Sequence, residues 1–253
     1  MNDTDIDAAA RSLYGLRTIG ARGERLKGAL LPRTPDEAWR IQRRISALNE
    51  RPVRGWKCGL PQGDRWVVAA LHELGPASGY LRAPDGPKGM ARIEPEFGFE
   101  FARALPPRPE PYTPDEVDAA VGAVRLAVEV LGCRYEDPSG ASGPELMADS
   151  LWHHSFVVGP RIEGPLPEVP AFSLTIALPG AAERRLAAAH GNGNPRLPLY
   201  WLAEFLREQG VGIAAGETVI TGTLAGVIEW PFGQAGQLRY GHFGSLTLTI
   251  DPL

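Results

Sequence analysis

Apolar positions recur at helical spacing near the start of the chain, where Ile6, Ala9, Ala10, Leu13 and Leu16 fall on one helix face. A second helix is predicted to open at Thr34-Pro35-Asp36-Glu37, which combines a capping hydroxyl, a proline at the first helical position and a glutamate three residues after the cap. Trp39, Ile41, Ile45 and Leu48 supply its apolar stripe. The same tetrapeptide returns at Thr113-Pro114-Asp115-Glu116, ahead of Val117, Ala120, Val121 and Val124, and predicts a third helix by shared capping chemistry. A fourth is expected from about Leu199 through Trp201, Leu202, Phe205 and Leu206, stopped by Gly210 in left-handed backbone. Elsewhere the pattern shortens to alternation or continuous apolar runs, and residues 93–101, 126–135, 172–178, 218–223 and 245–250 read as strands. Helices concentrated early and strands late argue for an α+β fold over a regular βαβ alternation. The stretches 84–89 and 160–170 read as loops within the domain.

Composition narrows the function classes. The 253 residues are 43% hydrophobic and 22% charged, inside the globular range, and 30 glycines with 24 prolines predict a fold rich in turns. A net charge of −4 lacks the basic footprint of a dedicated nucleic-acid binder. The cluster Arg17, Arg22, Arg25, Lys27 reads as a solvated face. No apolar run reaches the ~18 residues of a membrane span, and the acidic opening Asn2-Asp3-Thr4-Asp5 is unlike a secretory leader, so a cytoplasmic protein is expected. The two cysteines, Cys58 and Cys133, lie far apart and in no metal-binding spacing, which predicts buried free thiols.

The candidate chemistry is acidic. In Ile93-Glu94-Pro95-Glu96-Phe97-Gly98-Phe99-Glu100-Phe101 strand alternation puts the apolar residues on one face and Glu94, Glu96 and Glu100 on the other. Neighbouring carboxylates repel unless a cation sits between them, and hard divalent ions prefer oxygen ligands. In the apolar run Leu126-Ala127-Val128-Glu129-Val130-Leu131 a single buried glutamate needs a partner, either a metal or a nearby Arg125 or Arg134. Gly55-Trp56-Lys57-Cys58-Gly59-Leu60 sets one lysine among apolar residues and glycines, and Thr221-Gly222-Thr223 offers hydroxyls and backbone N–H groups at a strand end.

Taken in order, Gly55-Trp56-Lys57, Ile93-Glu94-Pro95-Glu96, Ala127-Val128-Glu129-Val130 with Arg134, Ala148-Asp149, Phe156-Val157-Val158-Gly159, Trp201-Leu202-Ala203, Ala215-Gly216-Glu217 through Thr223, and Tyr240-Gly241-His242-Phe243-Gly244-Ser245 resemble the 2-keto-4-pentenoate hydratases. With the 4-oxalocrotonate decarboxylases these enzymes form part of the fumarylacetoacetate hydrolase superfamily. The resemblance covers residues from about 50 to the C-terminus. It implies a mixed, rolled, barrel-like β-sheet catalytic domain over 51–253 behind a helical segment over 1–50. It also implies a Mg²⁺ or Mn²⁺ ion on Glu94, Glu96 and Glu129, catalytic roles for Lys57 and Asp149, and substrate contacts at Gly59, Leu60 and Thr223. The expected activity is a hydratase adding water to a 2-hydroxy-2,4-dienoate in aromatic-compound catabolism or a related pathway. Decarboxylation of a 2-oxo-3-enedioate is the alternative reaction on the same small 2-oxo or enol acid head. No nucleic acid or membrane partner is expected, and the chain is expected to form a homo-oligomer.

The chain departs from the family pattern at Ser150 and at Trp152-His153-His154, where small residues are usual, and these histidines read as pocket wall. A C–C hydrolase would need a His-Glu pair, for which His72-Glu73 is the adjacent candidate, although neighbouring residues point apart on a helix or strand. A non-enzymatic homologue would be expected to have lost its ligands. Ser155 and Cys133 sit in no nucleophile-elbow motif.

Overall fold

Four helices begin where a side-chain oxygen takes up a free backbone N–H. In the computed structural model, which describes residues 1–63, 65–86 and 88–253, these are α1 (Asp3–Thr18) after Asn2, α2 (Pro35–Leu48) after Thr34, α3 (Pro114–Ala120) after Thr113 and α4 (Gly143–Ala148) after Ser142. Pro87, within the loop expected at 84–89, lies outside the described residues. A further helix, α5 (Arg196–Glu208), is followed by Gly210 at φ +66°, the stop expected there. The third helix is shorter than its apolar pattern suggests. Val121 and Val124 belong instead to a strand, because Gly122 brings the chain so close to Ala102 that a Cβ would fall 2.6 Å from the alanine methyl. Strand pairing outweighs local periodicity at that point.

The strands form two sheets. The larger contains β1 (Gly55–Gln62), β2 (Arg65–Leu71), β4 (Ala91–Phe101), β5 (Val121–Leu131), β6 (His153–Arg161) and β9 (Thr218–Ile220), in the order β2-β1-β9-β4-β5-β6, with β10 (Ile228–Trp230) also paired to β4. It curls until its ends meet. Phe156 N–H donates to the Glu73 carbonyl at 3.0 Å and Gly75 N–H to the Phe156 carbonyl at 2.8 Å, joining the residues after β2 to β6. The smaller sheet has the order β3-β12-β11-β7-β8, from β3 (Tyr80–Ala83), β7 (Ala171–Ala177), β8 (Arg184–Ala189), β11 (Gly236–Tyr240) and β12 (Ser245–Pro252). The α+β class and the rolled sheet are as expected. The strand expected over 126–135 ends at Leu131, and that expected over 218–223 ends at Ile220, before Gly222 enters a conformation (φ +121°) that breaks the ladder.

The outer face of the curled sheet is covered by two different cores. Along β4, Ile93 and Phe97 pack toward the smaller sheet with Leu238, Tyr240 and Phe243, and the Phe97 and Phe243 rings lie 5.5 Å apart edge-on. Further along the same face, Phe99 and Phe101 join the helical core with Trp39, Trp56, Leu199 and Leu202. The inner face carries a small apolar group, Leu71, Ala127, Phe156 and Ile220, beside the polar side chains of Lys57, Glu94, Glu96 and Glu129. Among the described residues, no helix is long and apolar enough to cross a membrane.

Candidate active site

β4 and β5 run antiparallel with Glu94 directly opposite Glu129 and Glu96 opposite Ala127. Alternation turns all three carboxylates to the inner face, because Ile93, Phe97, Leu126, Val128 and Val130 occupy the outer core. One oxygen from each glutamate lies within 4.8 Å of the others. Glu96 and Glu129 are fully buried and Glu94 is partly so. Burial raises the Glu96 carboxyl well above the usual range, and the nearby Glu129 and Glu94 push it further. Burial also raises Glu94 and Glu129, against the pull of Lys57 on each.

Lys57 reaches this group from β1. Its Nζ donates to Glu129 Oε1 and Oε2, both at 2.8 Å, and to the Leu151 carbonyl at 3.0 Å. Those three bonds account for the three hydrogens of an ammonium. Burial works against its charge, but Glu129, Glu94 and Glu96 outweigh it and the lysine pKa is raised. Glu96 Oε2 accepts the Gly222 N–H at 2.7 Å. The Thr221-Gly222-Thr223 segment therefore meets the site through backbone, while the Thr223 hydroxyl donates to the Gly226 carbonyl at 3.1 Å. Gly55, at the start of β1, has no room for a side chain, since a Cβ would fall 2.0 Å from the Thr218 carbonyl oxygen. This contact draws β1 tightly onto β9.

A histidine completes the cluster. His153 is fully buried, its Nδ1 lies 2.8 Å from Glu129 Oε1, and its Nε2 has no hydrogen-bond partner among the described residues. Burial, together with the charges of Arg17 and Lys57, holds it well below the usual histidine range, so it is neutral. The sequence pattern placed His153 in a pocket wall. Its contact with Glu129 depends on an irregularity in β6 that residue spacing does not announce.

Other expected site residues are placed as follows. Gly59 and Leu60 lie further along β1, Gly59 opposite Val67. Asp149 is buried against Arg134, accepting its backbone N–H at 2.9 Å and its Nε at 2.5 Å, and makes no described hydrogen bond to Lys57 or to the three glutamates. Neither arginine considered as a partner for Glu129 fills that role, since Arg125 pairs with Glu100 at 2.7 Å and Arg134 with Asp149. His72 and Glu73 do not form a dyad. His72 contacts Ser46 Oγ at 3.1 Å, and Glu73 accepts from Arg17 at 3.1 Å. Arg17 is thus largely buried instead of lying on a solvated face, and Arg25 forks onto Glu145. Both cysteines are free and buried, and burial pushes the Cys133 thiol up to about 12.

A groove of about 820 Å³, lined by Arg51, Arg54, His72, Tyr80 and Arg82, contains none of the three glutamates. A smaller cavity of about 300 Å³ is lined by Arg92, Leu131 and Trp152. It too contains none of the three glutamates, but Arg92 and Leu131 face each other one step beyond Glu94 and Glu129 along the β4–β5 ribbon.

No protein-family model matches the chain. A 4-oxalocrotonate decarboxylase of Pseudomonas sp is 28% identical over 158 residues, which span 62% of this chain and 60% of that relative's length. The structure of 4-oxalocrotonate decarboxylase from Pseudomonas putida G7, complexed with magnesium and adipate, superposes with a TM-score of 0.75 at 20% identity, covering 99% of this chain and 98% of that one. The fold is also shared with a protein from Yersinia pestis CO92 assigned to the fumarylacetoacetate hydrolase family, at a TM-score of 0.55 and 17% identity over 80% of this chain and 94% of that one. A structure of 2-hydroxyhepta-2,4-diene-1,7-dioate isomerase from Mycobacterium marinum aligns at a TM-score of 0.51 and 15% identity over 80% of this chain and 77% of that one. Within this fold, the inner face of the rolled sheet carries the carboxylate cluster.

Proposed function

We propose that the protein is a Mg²⁺- or Mn²⁺-dependent lyase of enolisable 2-oxo acids, with decarboxylation of a 2-oxo-3-enedioate as its reaction. The supporting observation is the charge of the buried site: three carboxylates converge on one another, and one ammonium answers them. If all three are ionised, two negative charges remain, which is the charge a divalent cation supplies. The donor set is all oxygen, as hard cations prefer. Glu94, Glu96 and Glu129 would hold the ion, which when bound provides a Lewis acid for the carboxylate and 2-oxygen of the substrate.

The chain's own groups have defined tasks in that reaction. The bond to the distal carboxylate breaks, CO₂ leaves, and the electron pair passes along the conjugated chain to the 2-oxygen, so the dienolate formed must take up one proton. Lys57 is the cationic donor nearest the cluster. The cavity bounded by Arg92, Leu131 and Trp152 has room for the distal end of the acid and places a guanidinium beside it. Hydration of a 2-hydroxy-2,4-dienoate, the reaction expected from the sequence, also requires a base to take a proton from water. The reading of decarboxylation draws further support from the likeness to 4-oxalocrotonate decarboxylases.

The test is product analysis with 2-oxohex-3-enedioate and Mg²⁺, following CO₂ release and the dienol chromophore. Release of one CO₂ per substrate, abolished by EDTA, is expected. Water addition to the dienol without CO₂ release would assign the hydratase reaction instead, and full activity in EDTA would overturn the metal-dependent reading.

A further inference from the structure

Three consecutive residues other than glycine, Ser150, Leu151 and Trp152, hold left-handed backbone at φ +60°, +53° and +68°. Left-handed backbone is strained for residues with a Cβ, and strain of this kind persists where the surroundings impose it and gathers at functional sites. Here the turn is fastened throughout. Leu151 N–H donates to the Leu146 carbonyl at 2.7 Å, Gly132 N–H to the Trp152 carbonyl at 2.6 Å, and His153 N–H to the Ser150 carbonyl at 3.0 Å.

The strand that follows starts with a bulge. Ser155 pairs with Val130, yet His153 pairs with Leu131, leaving His154 as the extra residue. Without it His153 would share the outward side of Ser155. With it His153 sits opposite Leu131, on the side of β5 that carries Glu129. The turn and bulge together deliver two groups to one ion pair, the Leu151 carbonyl to Lys57 and the His153 ring to Glu129.

We propose that His153 is a positioning residue which, through its Nδ1–H, fixes Glu129 so that Oε2 is the oxygen presented to the cation. This rests on the metal-dependent reading above and specifies how the site is held. Oε1 accepts from both Lys57 and His153, which fills its two lone pairs, whereas Oε2 accepts from Lys57 alone and keeps one. An ionised carboxylate only accepts, so Nδ1 carries the proton and the buried, unpartnered Nε2 carries the lone pair. Partners behind a ligand typically change metal affinity 10–100-fold when removed.

Mg²⁺ titration by calorimetry on wild type, His153→Leu and His153→Asn tests this, with thermal melts confirming that each is folded. His153→Leu is expected to weaken Mg²⁺ binding roughly 10–100-fold. His153→Asn, whose amide nitrogen can take the place of Nδ1, is expected to restore most of that loss. Wild-type affinity in folded His153→Leu, or equal loss in both folded variants, would overturn the proposal while leaving the metal site standing. Absence of Mg²⁺ and Mn²⁺ binding in wild type would remove the metal reading itself. Should the leucine variant not fold, long-range ¹⁵N–¹H NMR of the wild-type histidines decides: an Nδ1–H tautomer before and after Mg²⁺ is expected, and an Nε2–H tautomer refutes it.

Discussion

Two buried carboxylate sites, one at Asp149 and one at Glu129 with Glu94 and Glu96, differ in kind. Asp149 is 2% exposed and meets Arg134, 4% exposed, through a backbone and a guanidinium hydrogen bond, one charge against one charge. Glu129, wholly buried, shares one ammonium with Glu94 and Glu96. A matched pair of this sort clips the chain between β5 and α4. An unmatched cluster keeps excess charge in low dielectric, which is costly unless another charge enters. Burial alone therefore does not mark a candidate metal-binding carboxylate; in the proposed reading the imbalance does.

The sharpest test of that contrast exchanges one carboxylate in each site for an amide. Glu96→Gln is expected to lower Mg²⁺ affinity and, through loss of the Lewis acid, to cut turnover by roughly 10²-fold or more at little cost to the metal-free fold. Asp149→Asn should do the reverse, leaving Mg²⁺ affinity in place while the uncompensated Arg134 lowers stability by about 3–5 kcal/mol. Calorimetric titration and chemical denaturation of both variants measure the pair. Loss of Mg²⁺ affinity in Asp149→Asn at unchanged stability would abolish the distinction and return Asp149 to the catalytic role expected from the sequence.

Removing the ammonium alters the imbalance from the other side. In Lys57→Met three carboxylates remain with no internal counter-charge, so the metal-free protein should melt lower while Mg²⁺ binds at least as tightly as in wild type. Turnover should still fall by about 10²–10⁴-fold, the usual contribution of a placed proton donor. A variant with full activity would make Lys57 a structural partner of Glu129 only.

The same imbalance fixes a pH dependence. The pKa values of Glu94 and Glu96 are raised in the folded state, first by burial and then by neighbouring carboxylates. Such groups contribute stability that is complete below their unfolded pKa and is lost as pH rises through the folded value. The metal-free protein should accordingly lose stability on this account as pH rises above the ordinary glutamate value of about 4.3 and through the raised folded values. Mg²⁺ binds the ionised forms, so the rise in Tm on adding it should grow over the same interval. A constant rise across that range would show that the carboxylates are already ionised and balanced without metal.

Much of this contrast could be read before the structure. The i, i+2 spacing of Glu94 and Glu96 and the lone Glu129 in an apolar run express strand alternation, which is local. Ser142-Gly143-Pro144-Glu145 also carries the capping signal that identified α2 and α3, so α4 was available to the same reasoning. Lys57 as the partner of Glu129 was not legible, because it depends on the sheet curling until β1 lies across the interior from β5. The contact of His153 was hidden for another reason. A one-residue bulge reverses which face a side chain takes, and nothing in Trp152-His153-His154 signals it.

The smallest expected effect probes the strained turn between the two sites. Ser150 has φ +60° and is 7% exposed, and its backbone is held by a bond from its N–H to the Met147 carbonyl at 2.9 Å and one from the His153 N–H to its own carbonyl. Neither bond involves the side chain. Ser150→Gly removes the left-handed penalty of about 1–2 kcal/mol and adds about 0.4–1 kcal/mol of chain entropy to the unfolded state. The net expectation is a gain of about 0.5–1 kcal/mol, a rise in Tm of roughly 1–4 °C for a chain of this size. Ser150→Ala, which keeps a Cβ, should show no such gain. A fall in Tm for the glycine variant, or equal gains in both, would mean that the turn carries no strain at Ser150. The cost of presenting Leu151 to Lys57 and His153 to Glu129 would then have to lie in the bulge instead.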